Sequence, residues 1–293
     1  MQTVFYIGAT GYVGGTYSCV LRYGALKVSP HLGSVLVAIR KAHPDLKVTA
    51  VVRNPAHVDA VRRLGVEVIQ GSFSDTNLIT SRARESDITI NMASSDDVDL
   101  NNAILAGQKA RVVEDKKAPA ILLHTSGTAI FMDDGKEGKH DPDSKVWNVS
   151  PCLFLGSVRS SVCDGQDGVE DDIRAITPEK IHGPVDVPYV LLYELAWVCV
   201  LDRELSLLPR ILRASEEGYT ESYIICPGAI VGPATGPVPA ASFFFHFMSQ
   251  LALGFKKAVY VGEGANIFYT VRSPSRVSIP IVHRHGAMLI ITS

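Results

Sequence analysis

The sequence has no surplus of charge of either sign. Lys and Arg together number 28 and Asp and Glu number 30, which leaves a formal net charge of −2 at pH 7. Nucleic acids and anionic membrane surfaces attract proteins whose surfaces are strongly basic. The charge balance therefore predicts that neither is a partner of this protein.

Long apolar runs are also missing. A helix that crosses a bilayer needs roughly 20 apolar residues in succession. The longest candidate, 188–201, contains Glu194 and is followed by the charged residues Asp202, Arg203 and Glu204. The first residues lead directly into an apolar run, without the basic stretch and cleavage signal of a secretory leader. We therefore expect a cytoplasmic protein that makes no contact with membranes.

Cysteine is scarce and irregularly placed. The chain has five cysteines, an odd number, and no two of them have the Cys-x-x-Cys spacing typical of zinc sites. His283 and His285 form a pair for which the sequence offers no third ligand. These patterns predict neither a disulfide framework nor a metal site.

What the sequence does have is a regular alternation of apolar runs and helix-like stretches. Apolar residues make up 46% of the chain and charged residues 20%, which excludes a disordered or fibrous protein. The runs typical of strands are 3–7, 47–52, 66–70, 87–92, 120–124 and 222–226. The stretches typical of helices are 35–42, 57–64, 77–85 and 98–114. The alternation predicts an α/β fold, a doubly wound parallel sheet with helices on both faces.

A glycine-rich turn follows the first strand-like run. Gly8, Gly11 and Gly14 have the spacing Gly-x-x-Gly-x-x-Gly. Glycine permits a tight turn and lets the backbone approach a pyrophosphate closely, while the next helix supplies free N–H groups and the positive end of its dipole. The turn predicts a dinucleotide site. The alternative is a glycine-rich connection between strand and helix that binds no ligand.

The residue at the end of the second strand distinguishes between two cofactors. Proteins that bind the ribose 2′-hydroxyl of NAD place Asp or Glu here, whereas Arg suits the 2′-phosphate of NADP. Arg53 stands at this position. It favours NADP(H), with NAD as the second possibility. The alternative is a solvated Arg at a strand end.

Four motifs in order carry a resemblance to a known family. They are GATGYVGG at 8–15, VVRNP at 51–55, HTSGTAI at 124–130 and ICPGAIVGP at 225–233. Together they resemble the extended and atypical short-chain dehydrogenase/reductase superfamily, and most closely its NAD(P)-binding epimerase-like and NmrA-like members. The resemblance implies a Rossmann sheet with the cofactor across the carboxyl ends of its strands.

The resemblance also implies a set of cofactor contacts. The residues expected at the pyrophosphate are Gly8, Thr10, Gly11, Tyr12, Val13 and Gly14, with Arg53 at the adenosine phosphate. The residues expected beside the adenine ribose are Met92, Ala93 and Ser94. Those expected at the nicotinamide are Thr125, Pro227, Gly228 and Ile230. Family members often carry Asp directly after the glycine of the third strand, but here Ser72 follows Gly71.

The catalytic residues match the superfamily only in part. Its members use a Ser or Thr that hydrogen-bonds the substrate oxygen, and a Tyr-x-x-x-Lys pair for proton transfer. Ser126 or Thr128 fits the first role. The Tyr-x-x-x-Lys motif is missing from 180–187, where the resemblance places it, and His182 is the acid/base candidate there. A lone histidine is more often structural than catalytic.

Two functions are consistent with these residues. The first is an NAD(P)-binding oxidoreductase, NADP(H) favoured, whose small-molecule substrate is an aldehyde, a ketone or a sugar-like carbonyl compound. The second is a catalytically silent sensor of the NmrA-like type, which binds the nucleotide and reports redox state to a protein partner. The missing motif favours the sensor, and the Ser/Thr cluster after the fifth strand favours the enzyme.

Some segments fit no element of the predicted domain, 1–271. They are 19–34, 149–162, 188–210 and an atypical tail, 272–293. Because the first of them lies between Gly11 and Arg53, these two residues are 42 positions apart, whereas the dinucleotide fingerprint has a separation of about 20. We hypothesise that these segments are translated introns of a gene model and that the C-terminal substrate-side region is small and truncated. The alternative is genuine insertions, which surface loops tolerate. The apolar run 287–292 has no evident partner in the sequence.

Overall fold

The structure is a computed structural model. It describes residues 2–11, 34–94, 97–126, 207–227, 229–231, 236–238, 242–258, 270–272 and 287–291. The strands are β1 (Thr3–Ile7), β2 (Lys47–Val52), β3 (Glu67–Gln70), β4 (Ile88–Asn91), β5 (Ala120–Thr125), β6 (Thr220–Pro227), β7 (Ala229–Val231), β8 (Thr270–Arg272) and β9 (Ala287–Ile291). The helices are α1 (Ser34–Ala42), α2 (Val58–Arg62), α3 (Thr76–Glu85), α4 (Val98–Val113), α5 (Leu207–Glu216) and α6 (Phe243–Phe255), with a 3₁₀ turn at Pro55–His57.

The main sheet is parallel throughout its described strands. Its order is β3-β2-β1-β4-β5-β6-β9, and β7 pairs with β8 in a separate two-stranded sheet. The order 3-2-1-4-5-6 belongs to the doubly wound dinucleotide-binding fold, in which the order of the strands reverses between β1 and β4. The predicted fold class, an α/β doubly wound parallel sheet, is confirmed.

Two apolar clusters sandwich the sheet. Successive residues of a strand face opposite sides, so a strand covered on both sides is apolar throughout. Phe5 and Ile7 of β1 pack with α3, α4 and α5, whereas Val4 and Tyr6 pack with α1 and α2. All four side chains are buried. This double burial explains why the first strand is apolar from Val4 to Ile7.

Short polar side chains fix where several helices begin. Asp75 accepts a hydrogen bond from the Leu78 N–H at 3.0 Å, and Asp97 accepts one from the Leu100 N–H at 2.9 Å. Each carboxylate satisfies an N–H that has no partner within its own helix. As a result, α3 and α4 begin within a few residues of the carboxyl ends of β3 and β4.

The C-terminal part differs from expectation in two places. Helix α5 begins at Leu207, inside the segment 188–210 that matches no predicted element. Strand β9 pairs with β6, with Ala287 opposite Tyr223 and Ile291 opposite Pro227. The expectation that 287–292 has no partner is therefore wrong, because an apolar strand can extend the sheet next to β6.

Other expectations lie mostly outside the described residues. These include segments 19–33, 149–162 and 188–206 and the pair His283 and His285. The intron hypothesis and the domain limits therefore stay predictions. Within the described ranges, no cluster of His, Cys, Asp and Glu could hold a metal ion, and no helix is long and apolar enough to cross a bilayer.

Candidate functional site

The carboxyl ends of the parallel strands bring the predicted cofactor residues to one edge of the sheet. The register places Ile7 beside both Val51 and Asn91, and Asn91 beside His124, which in turn pairs with Ile224. The residues that follow each of these strands therefore lie at the same edge of the sheet. In folds of this type, ligands bind along that edge, where the strand order reverses.

The glycine turn after β1 has formed. Gly8 has a φ of 100°, a left-handed conformation that favours glycine over any residue with a Cβ. The Gly11 N–H donates to the Gly8 carbonyl oxygen at 3.1 Å and closes the turn. Ala9 is fully buried and Thr10 half-buried between them. The remaining predicted pyrophosphate residues, Tyr12, Val13 and Gly14, lie outside the described part of the chain.

A buried asparagine holds the connection between β4 and α4. The Asn91 Oδ1 accepts a hydrogen bond from the Ala93 N–H at 3.1 Å, and its Nδ2 donates to the Ser94 carbonyl oxygen at 3.2 Å. The same Nδ2 lies 3.1 Å from the Asn101 Oδ1 on α4. One side chain thus fixes the backbone of the predicted ribose-flanking residues. Sequence analysis did not identify Asn91, although an amide at the end of an apolar strand is a usable signal.

A second asparagine extends the same network into α4. The Asn101 Nδ2 donates to the Asp97 carbonyl oxygen at 2.9 Å. The Ser94 Oγ accepts a hydrogen bond from the Asp97 N–H at 3.1 Å. Because Asp97 also caps the helix, the predicted contact residue Ser94 is connected to the first turn of α4.

His124 completes this buried network. It is fully buried on β5, and its Nδ1 lies 3.4 Å from the Asn91 Nδ2. The Asn91 Nδ2 has two protons, and the Ser94 carbonyl oxygen and the Asn101 Oδ1 accept them at shorter distances. Burial lowers the pKa of His124 to about 4, so the ring is neutral at pH 7. Its Nε2 has no hydrogen-bond partner among the described residues.

Met92 joins this connection to the glycine turn. Its N–H donates to the Ile7 carbonyl oxygen at 2.9 Å, and its sulfur accepts from the Tyr6 hydroxyl at 3.3 Å. Met92 and Ala93 are both buried. The structure therefore brings the predicted ribose-flanking residues next to Gly8, on the neighbouring strand.

Arg53 lies at the same edge, directly after β2. Its side chain is exposed, and its Cζ lies 4.6 Å from the centre of the Phe73 ring. The Gly71 N–H donates to the Val52 carbonyl oxygen at 3.2 Å, which ties the connections after β2 and β3 together. Sequence analysis placed Arg53 correctly at the strand end and did not identify Phe73.

The predicted catalytic and nicotinamide residues are only partly described. The Ser126 N–H donates to the Ile225 carbonyl oxygen at 2.8 Å, so Ser126 lies where β5 meets β6. Thr125 is half-buried, and its Oγ1 has no partner among the described residues. Thr128, His182 and Gly228 lie outside the described residues.

The remaining nicotinamide candidates follow the next strand. Pro227 ends β6 opposite Ile291, and Ile230 lies in β7. The Ser242 hydroxyl donates to the Ile230 carbonyl oxygen at 2.5 Å. The start of α6 is therefore attached to the strand that carries Ile230.

The Tyr-x-x-x-Lys spacing does occur once in the sequence, away from the position that the resemblance assigns to it. Tyr23 and Lys27 do have this spacing. They lie between β1 and α1, outside the described residues, whereas the resemblance places the pair after β5. The absence therefore holds for 180–187 and not for the whole chain.

Comparison with known proteins gives one curated relative and several solved structures. No family model matches the chain. The relative is the oxidase ucsJ of an Acremonium species, 26% identical over 276 residues. The match covers 92% of this chain but only 62% of the relative, so the chain spans less than two thirds of that protein's length.

The solved structures include enzymes whose crystals contain NAD. The UDP-glucuronic acid 4-epimerase of Bacillus cereus, in complex with UDP-glucuronic acid and NAD, is 12% identical with a TM-score of 0.48, covering 92% of this chain and 69% of its own. The dTDP-glucose 4,6-dehydratase of Bacillus anthracis, in complex with NAD, is 11% identical with a TM-score of 0.46, covering 93% and 68%. Vestitone reductase from alfalfa is 14% identical with a TM-score of 0.46, covering 100% and 77%.

The assignment of the fold itself depends on the strand order and on the turn at Gly8. By those two features the chain has a Rossmann fold.

Proposed function

We propose that this chain is an NADP(H)-binding oxidoreductase that acts on an aldehyde, a ketone or a sugar-like carbonyl compound. The observation that carries the proposal is the left-handed Gly8 in a closed turn at the carboxyl end of β1. A Cβ at this position would be strained, and the turn leaves its backbone close to where a pyrophosphate binds in this fold. The Acremonium relative is an oxidase, which supports the same reaction class.

The residues at the edge fit a dinucleotide. The glycine turn accommodates the pyrophosphate, and the exposed guanidinium of Arg53 offers a positive charge to the adenosine 2′-phosphate. The network of Asn91 keeps Ala93 and Ser94 in one conformation beside the ribose. The bound cofactor would supply hydride transfer, and the protein would supply position and hydrogen bonds.

Ser126 has the proposed role nearest to the chemistry. Its backbone is fixed between β5 and β6 by the bond to Ile225. A hydroxyl held there can donate a hydrogen bond to the carbonyl oxygen of the substrate, on which negative charge develops during reduction. His124, two residues earlier, is buried, and at pH 7 its ring is a neutral imidazole and not an imidazolium acid, so we assign it to the framework of the site.

A binding titration tests the cofactor assignment. The purified 293-residue chain is titrated with NADPH and with NADH. We expect tighter binding of NADPH and a loss of about 10-fold or more in NADPH affinity in Arg53→Ala, because charged hydrogen bonds contribute about 1.5–3 kcal/mol. NADH affinity should change little. A folded chain that binds neither nucleotide would overturn the proposal.

A second candidate function is a silent sensor of NADP(H) that reports to a protein partner. It is favoured by the missing Tyr-x-x-x-Lys pair at 180–187. The two functions differ in turnover, so NADPH consumption is followed with a panel of aldehydes and ketones. Consumption that falls at least 10-fold in Ser126→Ala and recovers in Ser126→Thr supports the enzyme. Tight binding without consumption supports the sensor.

A further inference from the structure

The contact between Arg53 and Phe73 joins two connections at the cofactor edge. Arg53 is the first residue after β2, and Phe73 lies between β3 and α3. The guanidinium carbon is 4.6 Å from the ring centre, within the range of a cation–π interaction. The Arg53 side chain is exposed, while Phe73 is partly buried. The exposed cation therefore lies against a ring that the protein holds.

The apolar core holds the Phe73 ring on the side of the ring that faces the protein interior. The ring packs against the cluster that contains Ile7 and Val51, on the side of the sheet covered by α3 and α4. The same cluster includes Ile79 of α3, so it is built from strand and helix residues together. Such packing restricts the ring to one place.

The backbone on both sides of Phe73 is also constrained. The Ser72 Oγ accepts a hydrogen bond from the Ser74 N–H at 3.1 Å, and the Asp75 N–H donates to the Ser72 carbonyl oxygen at 3.2 Å. Before the turn, a Cβ on Gly71 would lie 2.7 Å from the Leu78 Cδ2, so the chain passes close to α3. The ring is thus held before any ligand binds.

This arrangement has a consequence for cofactor choice. An exposed Arg has many rotamers, and ordering them opposes binding of the group it recognises. A ring beneath the guanidinium restricts those rotamers in advance, which improves affinity without a new contact to the ligand. NADP carries the 2′-phosphate that Arg53 would bind, and NAD does not. The gain therefore applies to NADP(H) alone.

We propose that Phe73 is a positioning residue that raises the preference for NADP(H) over NAD(H) by holding the Arg53 guanidinium at the site of the 2′-phosphate. This inference rests on the proposed function, since it assumes that the edge binds a dinucleotide. If Phe73 were only a core residue, its substitution would lower stability and would weaken both nucleotides equally.

The test is the ratio of the NADPH and NADH dissociation constants in five proteins: wild type, Phe73→Leu, Phe73→Tyr, Arg53→Ala and the double variant Phe73→Leu with Arg53→Ala. We expect Phe73→Leu to reduce the preference for NADPH about two- to fivefold, as the strength of an exposed cation–π contact implies. Phe73→Tyr keeps the aromatic face and should keep the wild-type ratio. In the Arg53→Ala background, Phe73→Leu should leave the ratio unchanged.

The outcomes separate this inference from the proposed function. Wild-type protein that binds neither nucleotide overturns both. If wild-type protein binds NADPH and Phe73→Leu leaves the ratio of the NADPH and NADH dissociation constants unchanged, only the role of Phe73 is overturned. Because Leu keeps most of the apolar volume, far-ultraviolet circular dichroism is expected to confirm a folded variant. If Phe73→Leu is unfolded, the test compares Phe73→Tyr with Arg53→Ala instead. A Phe73→Tyr variant whose ratio of dissociation constants equals that of Arg53→Ala would overturn the role of Phe73.

Discussion

The two faces of the parallel sheet are built from different kinds of side chain. Toward α1 and α2, the buried residues of the described strands, such as Val4, Val52 and Ile90, are apolar. Toward α3, α4 and α5, apolar residues are interrupted by buried polar ones. These are Thr89 and Asn91 of β4, His124 of β5, Ser222 of β6, and Asn101 and Gln108 of α4.

The difference shows which face of the sheet positions a connection at the site in addition to stabilising the fold. The apolar face gains stability from burial, which depends on area and is tolerant of exchange between similar side chains. The polar face contains hydrogen bonds that end on the backbone of the β4–α4 connection, through Asn91 and Asn101. Substitutions on the polar face should therefore alter ligand binding and pH dependence, whereas those on the apolar face should alter only stability.

The largest expected effect comes from His124 and depends on pH. Its pKa is lowered by burial to about 4, below the ordinary value of 6.5. Between these values the unfolded chain takes up a proton and the folded chain does not, so stability falls as pH falls. Linkage gives a loss of about 2 kcal/mol by pH 5 and about 3 kcal/mol by pH 4.

Urea unfolding at several pH values between 8 and 4 measures this dependence. In His124→Gln, the free energy of unfolding should fall less on acidification than in wild type, by about 2 kcal/mol at pH 5 and about 3 kcal/mol at pH 4. The exposed His43 supplies the matched control, and His43→Gln should follow the wild-type curve. Identical pH dependence of wild type and His124→Gln would contradict a buried, neutral ring.

The next effect tests how closely the helices on the polar face approach each other. A Cβ on Gly107 of α4 would lie 2.3 Å from the Thr80 carbonyl oxygen and 3.0 Å from the Arg84 nitrogen, both on α3. Because these are backbone atoms, the helices must move apart. We expect Gly107→Ala to lower the free energy of unfolding by about 2–3 kcal/mol.

A glycine in open space is the control for that change. A Cβ on Gly254 of α6 meets nothing within 4 Å. Since alanine is the better helix former, Gly254→Ala should be neutral or stabilising by up to about 1 kcal/mol. Chemical denaturation of both variants decides the comparison, and equal losses would show that close helix contact is not the cause.

Asn91 tests whether the polar face controls the site. Asn91→Ala removes the hydrogen bonds to Ala93, Ser94 and Asn101 and should cost about 2 kcal/mol, because buried partners are left unsatisfied. NADPH affinity should fall as well. Ile90→Val, on the apolar face one residue earlier, should cost about 1 kcal/mol with unchanged affinity. Calorimetric unfolding and an NADPH titration measure the two quantities. A nucleotide affinity that Asn91→Ala leaves unchanged would contradict the distinction between the faces.

The smallest effect concerns the cap of α3. Asp75→Ala leaves the Leu78 N–H without its acceptor and should lower stability by about 1 kcal/mol. Asp75→Asn retains an acceptor oxygen and should change stability by much less. Thermal unfolding of both variants checks this, and an alanine variant as stable as the asparagine variant would argue against the cap.

Much of the fold up to residue 126 could be predicted from the sequence. The strand predicted at 47–52 and the helix predicted at 98–114 agree with β2 and α4 to within a residue. Local signals explain this success: apolar runs are buried on both faces of the sheet, and Asp and Gly residues mark where helices begin and where turns form. The Gly8 turn and the place of Arg53 followed from the same local pattern.

The rest depends on contacts between distant positions, which no local pattern contains. Strand β9 pairs with β6, more than 60 positions earlier, and its sequence alone does not indicate a partner. The network of Asn91, Asn101 and His124 forms because the first turn of α4 lies beside the end of β4, which is next to β5. The ring of Phe73 beneath Arg53 likewise results from sheet order. Each of these residues looks unremarkable along the chain.

The long separation between β5 and β6 has a consequence for how the protein folds. Thr220 pairs with Ala120, 100 positions earlier in the chain. The entropy of closing a loop grows slowly with its length, by about 0.6 kcal/mol for each doubling. Folding rates, in contrast, fall as contacts become more distant in sequence. Shortening the chain between these two strands should therefore speed the closing of the sheet far more than it stabilises the finished fold.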